Sequence, residues 1–484
     1  MDTPIPEPPP RHTARPWLLG AALLALSGLP AAAVGTALLA GALLWGPDWS
    51  PLAPVLLFWF GITGAVARER GPLPGRAVNP GDEPELAALV RDVAERLGFR
   101  APLLVRIVPG VQASLGRVRV AGVRSHVLLL GLPLLRTLTE AELASVIAHE
   151  LAHERHTGSR GDTFLRYARS RLAHRLEGRV RPLAPLAAPL LRASRPVLWQ
   201  AETAADADAA RVAGAEATGA ALRRTVALHA VFEGLGETWL AGLAERDAWP
   251  ADFYDALDTA LADPHVARRA ARTAADEDAL DPYDTADHPP VTTRLAALPA
   301  LPGTGTYGGG PVPLRQAAET ARWCVHRLAL QDGEEEDDVE PVRLLGLDPD
   351  ELRGLDDGTG TALLFRATGH DTPAAAVAAA LDSLADGTWQ RLARRLEPGL
   401  RWAPPAVHGQ LARTVYAAAV AGALAEVLET SGWTPATRWM TTVLTAPDGR
   451  TVDLRELLGE AVSAADPSGP RALLPHARPE ETPA

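Results

Sequence analysis

The sequence predicts a mainly helical α+β fold with a small sheet, preceded by two long apolar segments. Apolar residues recur at helical spacing through alanine-rich stretches, whereas short runs at 102–109 and 125–130 are typical of strands. Segments 17–45 and 51–67 contain no charged residue. These patterns separate an N-terminal apolar region from a long globular remainder.

The length and composition limit the classes of protein that need to be considered. With 484 residues the chain is long enough for two or three domains. A net charge of −12, with no basic stripe that carries interleaved aromatic residues, argues against a nucleic-acid partner. The single cysteine, Cys324, excludes a disulfide framework and suits a reducing compartment.

The two apolar segments predict a transmembrane hairpin over residues 16–70. Segment 17–45 exceeds the roughly twenty residues needed to cross the hydrocarbon, and segment 51–67 is near the lower limit. A cleaved signal peptide fits less well, because the first segment is too long and a second one follows. Arginines flank the pair but are absent from the connecting loop, so the positive-inside rule places both ends in the cytoplasm. We therefore expect a multi-pass plasma-membrane protein whose globular part faces the cytoplasm.

The most informative motif is His-Glu-Leu-Ala-His at 149–153. Thr139 and Glu142 predict a capping box before it, and the apolar spacing predicts a helix through it. Two histidines four residues apart on a helix face the same side and can converge on one Zn²⁺. Glu150 would then act as the general base for a water activated by the metal. The alternative is a surface helix that carries two histidines by chance.

A catalytic zinc needs a third protein ligand. His156 lies one turn beyond the motif, but three ligands on one straight helix would give poor tetrahedral geometry. A second helical segment, 199–210, carries Glu202 and Asp206 four residues apart, so both carboxylates share a face. Glu202 is the better candidate for the ligand, and Asp206 can accept the outer N–H of a ligating imidazole. The alternative is a solvated acidic face. We expect Asp208 to point away from this face into solvent.

The motifs resemble those of the membrane-associated gluzincin family that includes HtpX and the CAAX prenyl endopeptidases. The family pattern is HExxH followed by ExxAD, which matches 149–153 and 202–206, and His288-Pro-Pro with Arg294 resembles a third family element. The resemblance covers roughly 80–300 and implies a zincin-like metallopeptidase domain. It also implies that His288 stabilises the oxyanion of the tetrahedral intermediate and that Arg294 supports the fold or the site carboxylates. Without the family, His288 only precedes a helix that begins after proline.

The resemblance and the apolar runs together predict where substrate lies. Residues 125–130 are expected to form the edge strand beside an extended substrate. The Asn-Ala pair that relatives carry between the strands is replaced here by Gln112-Ala113, which departs from the family pattern. The arginine-rich interval 161–196 is too highly charged for a lipid-buried span. It can form either an amphipathic stretch on the anionic inner leaflet or a solvated helical hairpin over the cleft.

Composition divides the whole chain into six segments. They are a Pro-rich cytosolic tail (1–15), the transmembrane hairpin (16–70), the zinc metallopeptidase domain (71–300), a linker with a short helix and an acidic run (301–341), an accessory α+β domain (342–465) and a disordered tail (466–484). In the accessory domain, alanine-rich patterns predict helices at 371–396 and 410–430, and an Asp-Gly turn predicts a hairpin over 442–454.

The predicted activity is zinc-dependent hydrolysis of peptide bonds. One Zn²⁺ per chain would be held by His149, His153 and Glu202, with Glu150 as the base and His288 as a second catalytic candidate. The expected partners are polypeptide substrates, chiefly membrane or misfolded proteins in quality control, and the lipid bilayer. One alternative is a sensor-type membrane metallopeptidase that cleaves a specific regulator. The other is a non-catalytic zinc-binding membrane scaffold, although structural zinc sites usually have four ligands, often thiolates.

Overall fold

The computed structural model describes most of the chain. The described residues are 14–45, 73–120, 122–156, 160–178, 184–279, 288–301, 306–330, 339–355, 359–403 and 405–474. Their contacts divide the chain into two compact units. Unit 1 contains Met1–Val108, Gln112–Arg223 and Asp281–Gln316, and unit 2 contains Pro109–Val111, Arg224–Leu280 and Ala317–Ala484. Residues 224–280 thus group with the C-terminal region, whereas the sequence-based boundaries place them in the peptidase domain.

Helices dominate the described part of both units. The elements begin with α1 (Arg15–Trp45), β1 (Arg76–Ala77), α2 (Pro84–Leu97), β2 (Leu103–Val108), β3 (Ala113–Val120), β4 (Val123–Gly131), α3 (Leu132–Thr137), α4 (Glu140–His156), α5 (Arg160–Gly178), α6 (Ala184–Ala213) and α7 (Ala215–Val231). They continue with a π-helix (Phe232–Gly236), α8 (Glu237–Ala244), β5 (Ala248–Pro250), α9 (Phe253–Ala262), α10 (Pro264–Ala279), α11 (Val291–Ala297), α12 (Ala317–Ala329), β6 (Glu340–Val342), a 3₁₀-helix (Leu344–Gly346), α13 (Pro349–Leu355) and α14 (Thr359–Thr368). The last are α15 (Pro373–Ala385), α16 (Trp389–Leu396), a 3₁₀-helix (Pro398–Trp402), α17 (Pro405–Glu429), β7 (Thr434–Pro435), β8 (Val443–Thr445), β9 (Thr451–Asp453), α18 (Leu454–Ala464) and α19 (Ser468–Arg471). The mainly helical α+β class predicted from the sequence is therefore confirmed.

The sheet of unit 1 has the strand order β1-β2-β4-β3. Strand β2 confirms the strand predicted at 102–109, and it runs parallel to β4, while β3 runs antiparallel to β4. The prediction that 125–130 forms an edge strand is wrong, because β4 has a paired neighbour on each side. Its apolar sequence is typical of an interior strand. Strand β3 occupies the edge, and its Arg117 and Arg119 are the charged residues that exposed edges favour.

Helix α4 carries the first motif and begins at the predicted capping box. The Thr139 N–H donates to Glu142 Oε2 at 2.9 Å, and the Glu142 N–H donates to Thr139 Oγ1 at 3.3 Å. The apolar face of the helix is fully buried through Leu143, Ile147 and Leu151, and the helix packs against α6 and α2. This packing fixes α4 along its length and so places its histidines opposite α6.

The arginine-rich interval between the two motifs forms helices α5 and α6, and α1 packs against both. Leu23, Leu165, Leu172 and Leu191 form the shared core of the three helices. Arg169 is fully buried beside this core, where its Nη1 donates to Leu191 O at 2.7 Å and to a serine hydroxyl. Buried charges need such partners, so this arginine is part of the bundle and not of a solvated surface.

The predicted transmembrane hairpin is not shown by the described helices. Residues 1–13 of the tail and the second apolar segment, 51–67, lie outside the described residues. Within the described part of the chain, the helix Val407–Glu429 is long and apolar enough to cross a membrane, but 61% of its apolar window is buried in the structure. Arg15–Leu29 of α1 is a shorter apolar helix.

Unit 2 is built around α17, which packs against α14, α15, α16 and α18. The helices predicted at 371–396 and 410–430 correspond to α15 to α17, with a break between α15 and α16. The predicted hairpin is confirmed, since β8 and β9 pair antiparallel and Gly449 has a φ of +86° at the turn. The predicted disordered tail is wrong over 466–474, which contains α19, and 475–484 lies outside the described residues, as does the acidic run at 333–338.

Candidate active site

The two histidines of the first motif converge, as their spacing predicts. His149 and His153 lie one turn apart on α4, and their Nε2 atoms are 3.0 Å from each other. The two residues are only 8% and 9% exposed. Two ring nitrogens at this distance are close enough to bind one ion together.

Helix α6 brings the Glu202 carboxylate to the same point. Its Oε2 lies 3.5 Å from His149 Nε2, and its Oε1 lies 3.3 Å from His153 Nε2. The residue is 2% exposed. The structure therefore assembles His149, His153 and Glu202 into one cluster, although about fifty residues separate the two motifs.

This cluster fits a bound divalent metal of zinc type. Bond lengths of about 2.0–2.2 Å to nitrogen and oxygen place the ligand atoms of a tetrahedral site about 3.3–3.6 Å apart, which is close to the separations seen here. Two imidazoles and one carboxylate are the donor set of many catalytic zinc sites. Glu150 completes the group, because one of its carboxylate oxygens lies within 4.8 Å of a ring nitrogen of each histidine.

Asp206 holds the outer side of the His149 ring, one helical turn beyond Glu202. Its Oδ1 accepts from His149 Nδ1 at 2.8 Å. Arg294, on α11, in turn donates to both oxygens of Asp206, at 2.8 and 2.7 Å. A proton on Nδ1 leaves Nε2 with its lone pair toward the metal position, so this chain fixes the ring and its tautomer.

The carboxylates of α6 are held ionised by their partners. Burial opposes the charge of Asp206, but its hydrogen bonds with Arg294 and His149 lower its pKa to about 2. Burial also opposes the charge of Glu202, yet its hydrogen bonds with His149 and His288 hold its pKa well below the ordinary range. Both groups therefore remain negative at neutral pH and favour a cation in the cluster.

The pKa values of the two histidines shift in opposite directions, and that of Glu150 is raised. Burial alone would lower the pKa of His149, but hydrogen bonds to Asp206 and Glu202 raise it to about 9. Burial and the nearby charge of His149 lower the pKa of His153 well below its usual value. Burial raises the pKa of Glu150, and the attraction of His149 only partly offsets it. Within the cluster, His149 therefore holds a proton more firmly than His153 does.

His288 also reaches the cluster. Its Nδ1 lies 2.6 Å from Glu202 Oε2, and its side chain is 58% exposed. The ring therefore contacts the carboxylate and remains accessible from solvent. The role in oxyanion stabilisation that the family resemblance implies stays a prediction.

His156 and Asp208 form a separate pair that the sequence did not predict. His156 Nε2 lies 2.8 Å from Asp208 Oδ2, so the alternative third ligand is engaged away from the cluster. The prediction that Asp208 is exposed is wrong, because the residue is 1% exposed and also pairs with Arg155 and Arg211. Helix α4 shields it, since the two helices pack along their length.

Arg166, on α5, is a site residue that motif reasoning missed. Its Nη2 donates to Glu202 Oε1 at 3.2 Å and lies 3.3 Å from His153 Nδ1. When His153 Nε2 binds a metal, the neutral ring carries its hydrogen on Nδ1, which leaves Glu202 as the acceptor for Arg166. Arg166 and His288 then hold the two oxygens of Glu202. The only sequence signal that pointed to Arg166 was the high arginine content of residues 161–196.

Metal binding should release a proton. A ligating nitrogen must be unprotonated, whereas a pKa of about 9 keeps His149 protonated at neutral pH. We expect about one proton per zinc ion at pH 7, and an apparent affinity that rises with pH until about pH 9. Calorimetry in buffers of different ionisation enthalpy measures this release. Asp206→Asn, which removes the charge that holds the proton, should reduce the release, and a heat independent of buffer would contradict the prediction.

Loss of Arg166 should weaken the hold on metal. Residues that orient a ligand typically contribute 10–100-fold to metal affinity, so we expect a loss of about that size in Arg166→Gln. Competition with a chromophoric chelator measures the affinity. Arg171→Gln is the matched control, because Arg171 lies on the same helix and donates to Tyr167 Oη at an exposed position. Equal affinities of the two variants would show that Arg166 does not support Glu202.

Comparison with known proteins agrees with this geometry. Residues 82–301 match the model of peptidase family M48. None of the curated proteins and none of the solved structures matches the chain. The matched segment contains the whole site, from the first motif at 149–153 to Arg294. The match supports the assignment of this segment as a metallopeptidase domain of family M48.

Proposed function

We propose that this chain is a membrane-anchored zinc endopeptidase that resembles the HtpX type of gluzincin. The observation that carries the proposal is the convergence of His149, His153 and Glu202 within 3.5 Å of one another, next to Glu150. Three protein ligands leave one position of a tetrahedral site open, which is typical of catalytic zinc and not of structural zinc.

The reaction requires a proton carrier beside the metal. A bound zinc supplies a Lewis acid and brings the pKa of water toward neutrality. Glu150 accepts the proton of the attacking water and delivers it to the leaving amine. Burial raises the pKa of Glu150, which brings it closer to neutral pH than the pKa of an exposed glutamate. The carboxylate can therefore both accept and return a proton.

His288 is our candidate for the group that stabilises the oxyanion. It is the most exposed of the polar side chains around Glu202, so a substrate carbonyl can approach it. Nδ1 donates to Glu202, so Nε2 can donate to a developing oxyanion only when the ring carries a hydrogen on both nitrogens. In that form the donor is held in advance at the point where negative charge develops, which lowers the barrier without reorganisation.

The substrate is expected to extend along β3 and not along 125–130. Strand β3 is one of the two edges of the sheet and packs against α4, the helix of the first motif. An extended polypeptide can add to such an edge through backbone hydrogen bonds. Sequence preference would then depend on side chains that alternate across the added strand.

Membrane anchoring is supported by the apolar surface of the α1, α5 and α6 bundle. Leu18 of α1 is 70% exposed, Tyr167 of α5 is 54% exposed, and Leu186 of α6 is 63% exposed. Large apolar side chains that are open on three packed helices suit a lipid environment. A site close to a bilayer favours membrane proteins or membrane-proximal segments as substrates, as in proteolytic quality control. A sensor-type peptidase would differ in cleaving one regulator only.

Glu150→Gln should abolish peptide hydrolysis while leaving the metal in place. Loss of general-base catalysis typically lowers the rate by 10²–10⁴-fold, and we expect a decrease in kcat of at least 10²-fold. An unfolded membrane protein is the substrate, and Glu216→Gln, at an exposed position on α7, is the control. Full activity of the Glu150 variant would refute the mechanism.

Glu202→Ala should instead lose its bound zinc, which metal analysis of the purified protein measures. A wild-type protein that binds zinc but hydrolyses no peptide would favour the scaffold alternative.

A reporter fused to the C-terminus should register as cytoplasmic. The flanking arginines place both ends of the predicted hairpin on that side. Paired reporters, one active only in the cytoplasm and one only outside, make the measurement. Activity of the outside reporter would reject the hairpin over 16–70, because a single span reverses the location of the C-terminus.

A further inference from the structure

The tip of the β3–β4 hairpin carries two opposed arginines and two exposed valines. Arg119 pairs in register with Arg124, and Val120 pairs with Val123. Both arginines are exposed, and the valines are 39% and 56% exposed. Residues directly opposite each other share a face of a sheet, so the arginines lie on one face and the valines on the other.

The two arginines have no hydrogen-bond or ion-pair partner among the residues that the structure describes. Arg117, two positions before Arg119, differs, because it donates to both oxygens of Glu154 at 3.1 and 2.7 Å. Like charges directly opposite each other destabilise a strand pair. The range 117–124 holds three arginines and no acidic residue in a chain of net charge −12. The local charge is therefore opposite to that of the whole protein and is left uncompensated at the tip.

The turn at the tip is open around Gly122. This glycine adopts a φ of +83°, and apart from its chain neighbours no atom of the described residues lies within 4 Å of the position that a Cβ would take there. At its base the same hairpin is tied to α4 by the Arg117–Glu154 pair, and His126 Nε2 lies 3.4 Å from Glu154. The hairpin thus projects a basic and apolar end from a fixed base.

We propose that this tip contacts an anionic lipid surface. The valines would enter the boundary between headgroups and acyl chains, and Arg119 and Arg124 would bind lipid phosphates. Arginine stems can lie along apolar surface while the guanidinium remains at the polar level, so one short tip can use both faces. The proposal rests on the membrane anchoring proposed above and not on the peptidase activity.

Lipid suits the tip better than an acidic polypeptide does. A polypeptide that adds to the sheet would use the edge of β3, and its acidic side chains would meet the arginine face only. The opposite face, with Val120 and Val123, would then remain in water. A bilayer interface offers anionic groups and an apolar layer within a few ångströms of each other. Such a contact also holds the edge strand near the membrane, which favours substrate segments that emerge from the bilayer.

A fluorescent label at the tip tests the proposal. Val123→Cys in the full chain can be labelled selectively, because the single native cysteine, Cys324, is fully buried. The protein is reconstituted in nanodiscs of phosphatidylcholine with or without phosphatidylserine. Labelled wild type corrects for Cys324, and Glu95→Cys, exposed on α2, is the matched control position.

We expect the emission at residue 123 to shift to shorter wavelength with phosphatidylserine at low salt and to return at high salt. Arg119→Gln with Arg124→Gln should lower the equilibrium constant for binding of the tip by about 25-fold, since each arginine near the surface contributes about fivefold. The Glu150→Gln background should leave the shift unchanged, which separates this contact from catalysis.

Two results would overturn the proposal. One is a chain that assembles into nanodiscs but shows the same emission with and without phosphatidylserine. The other is a shift that occurs with soluble poly-glutamate and not with lipid, which would identify an acidic polypeptide as the partner. A chain that does not associate with nanodiscs at all would reject the membrane anchoring together with the tip contact.

Discussion

The packing of α4 against α6 is the constraint on which the site depends. Each helix alone carries an incomplete set, two imidazoles on one and two carboxylates on the other. Their contact brings Glu202 within 3.5 Å of both ring nitrogens and places Asp206 against the outer nitrogen of His149. The apolar stripe of α4, the capping box at its start and the arginine on α11 all serve to keep this one interface in register.

Much of the site could be predicted because helical periodicity is a local property. The spacing of four residues in each motif fixes a shared face on one helix, whatever the rest of the chain does. The capping box was equally local, and so was the turn at Gly449. The pairing of the two motifs was not local. It followed from the chemical need for a third ligand and from the family resemblance.

The wrong predictions about the edge strand and about Asp208 concern contacts between elements. An apolar run cannot reveal whether a strand has one partner or two, so the edge that the sequence predicts at 125–130 lies at β3 instead. The position of Asp208 on its own helix predicts exposure to solvent, but the second helix covers the residue and supplies His156. The contact of Arg166 with the site could not be predicted for the same reason, since nothing in its own segment distinguishes it from the arginines nearby. Sequence patterns thus describe single elements better than their contacts.

The charges around the buried carboxylates have a consequence for how this segment can vary in sequence. Arg294 donates to Asp206, and Arg166 donates to Glu202. A buried carboxylate that loses its cationic partner is left with an uncompensated charge, which is strongly destabilising. Substitutions at either position are therefore tolerated only when the positive charge is kept, so the two arginines restrict the sequence of the segment as firmly as the ligands do.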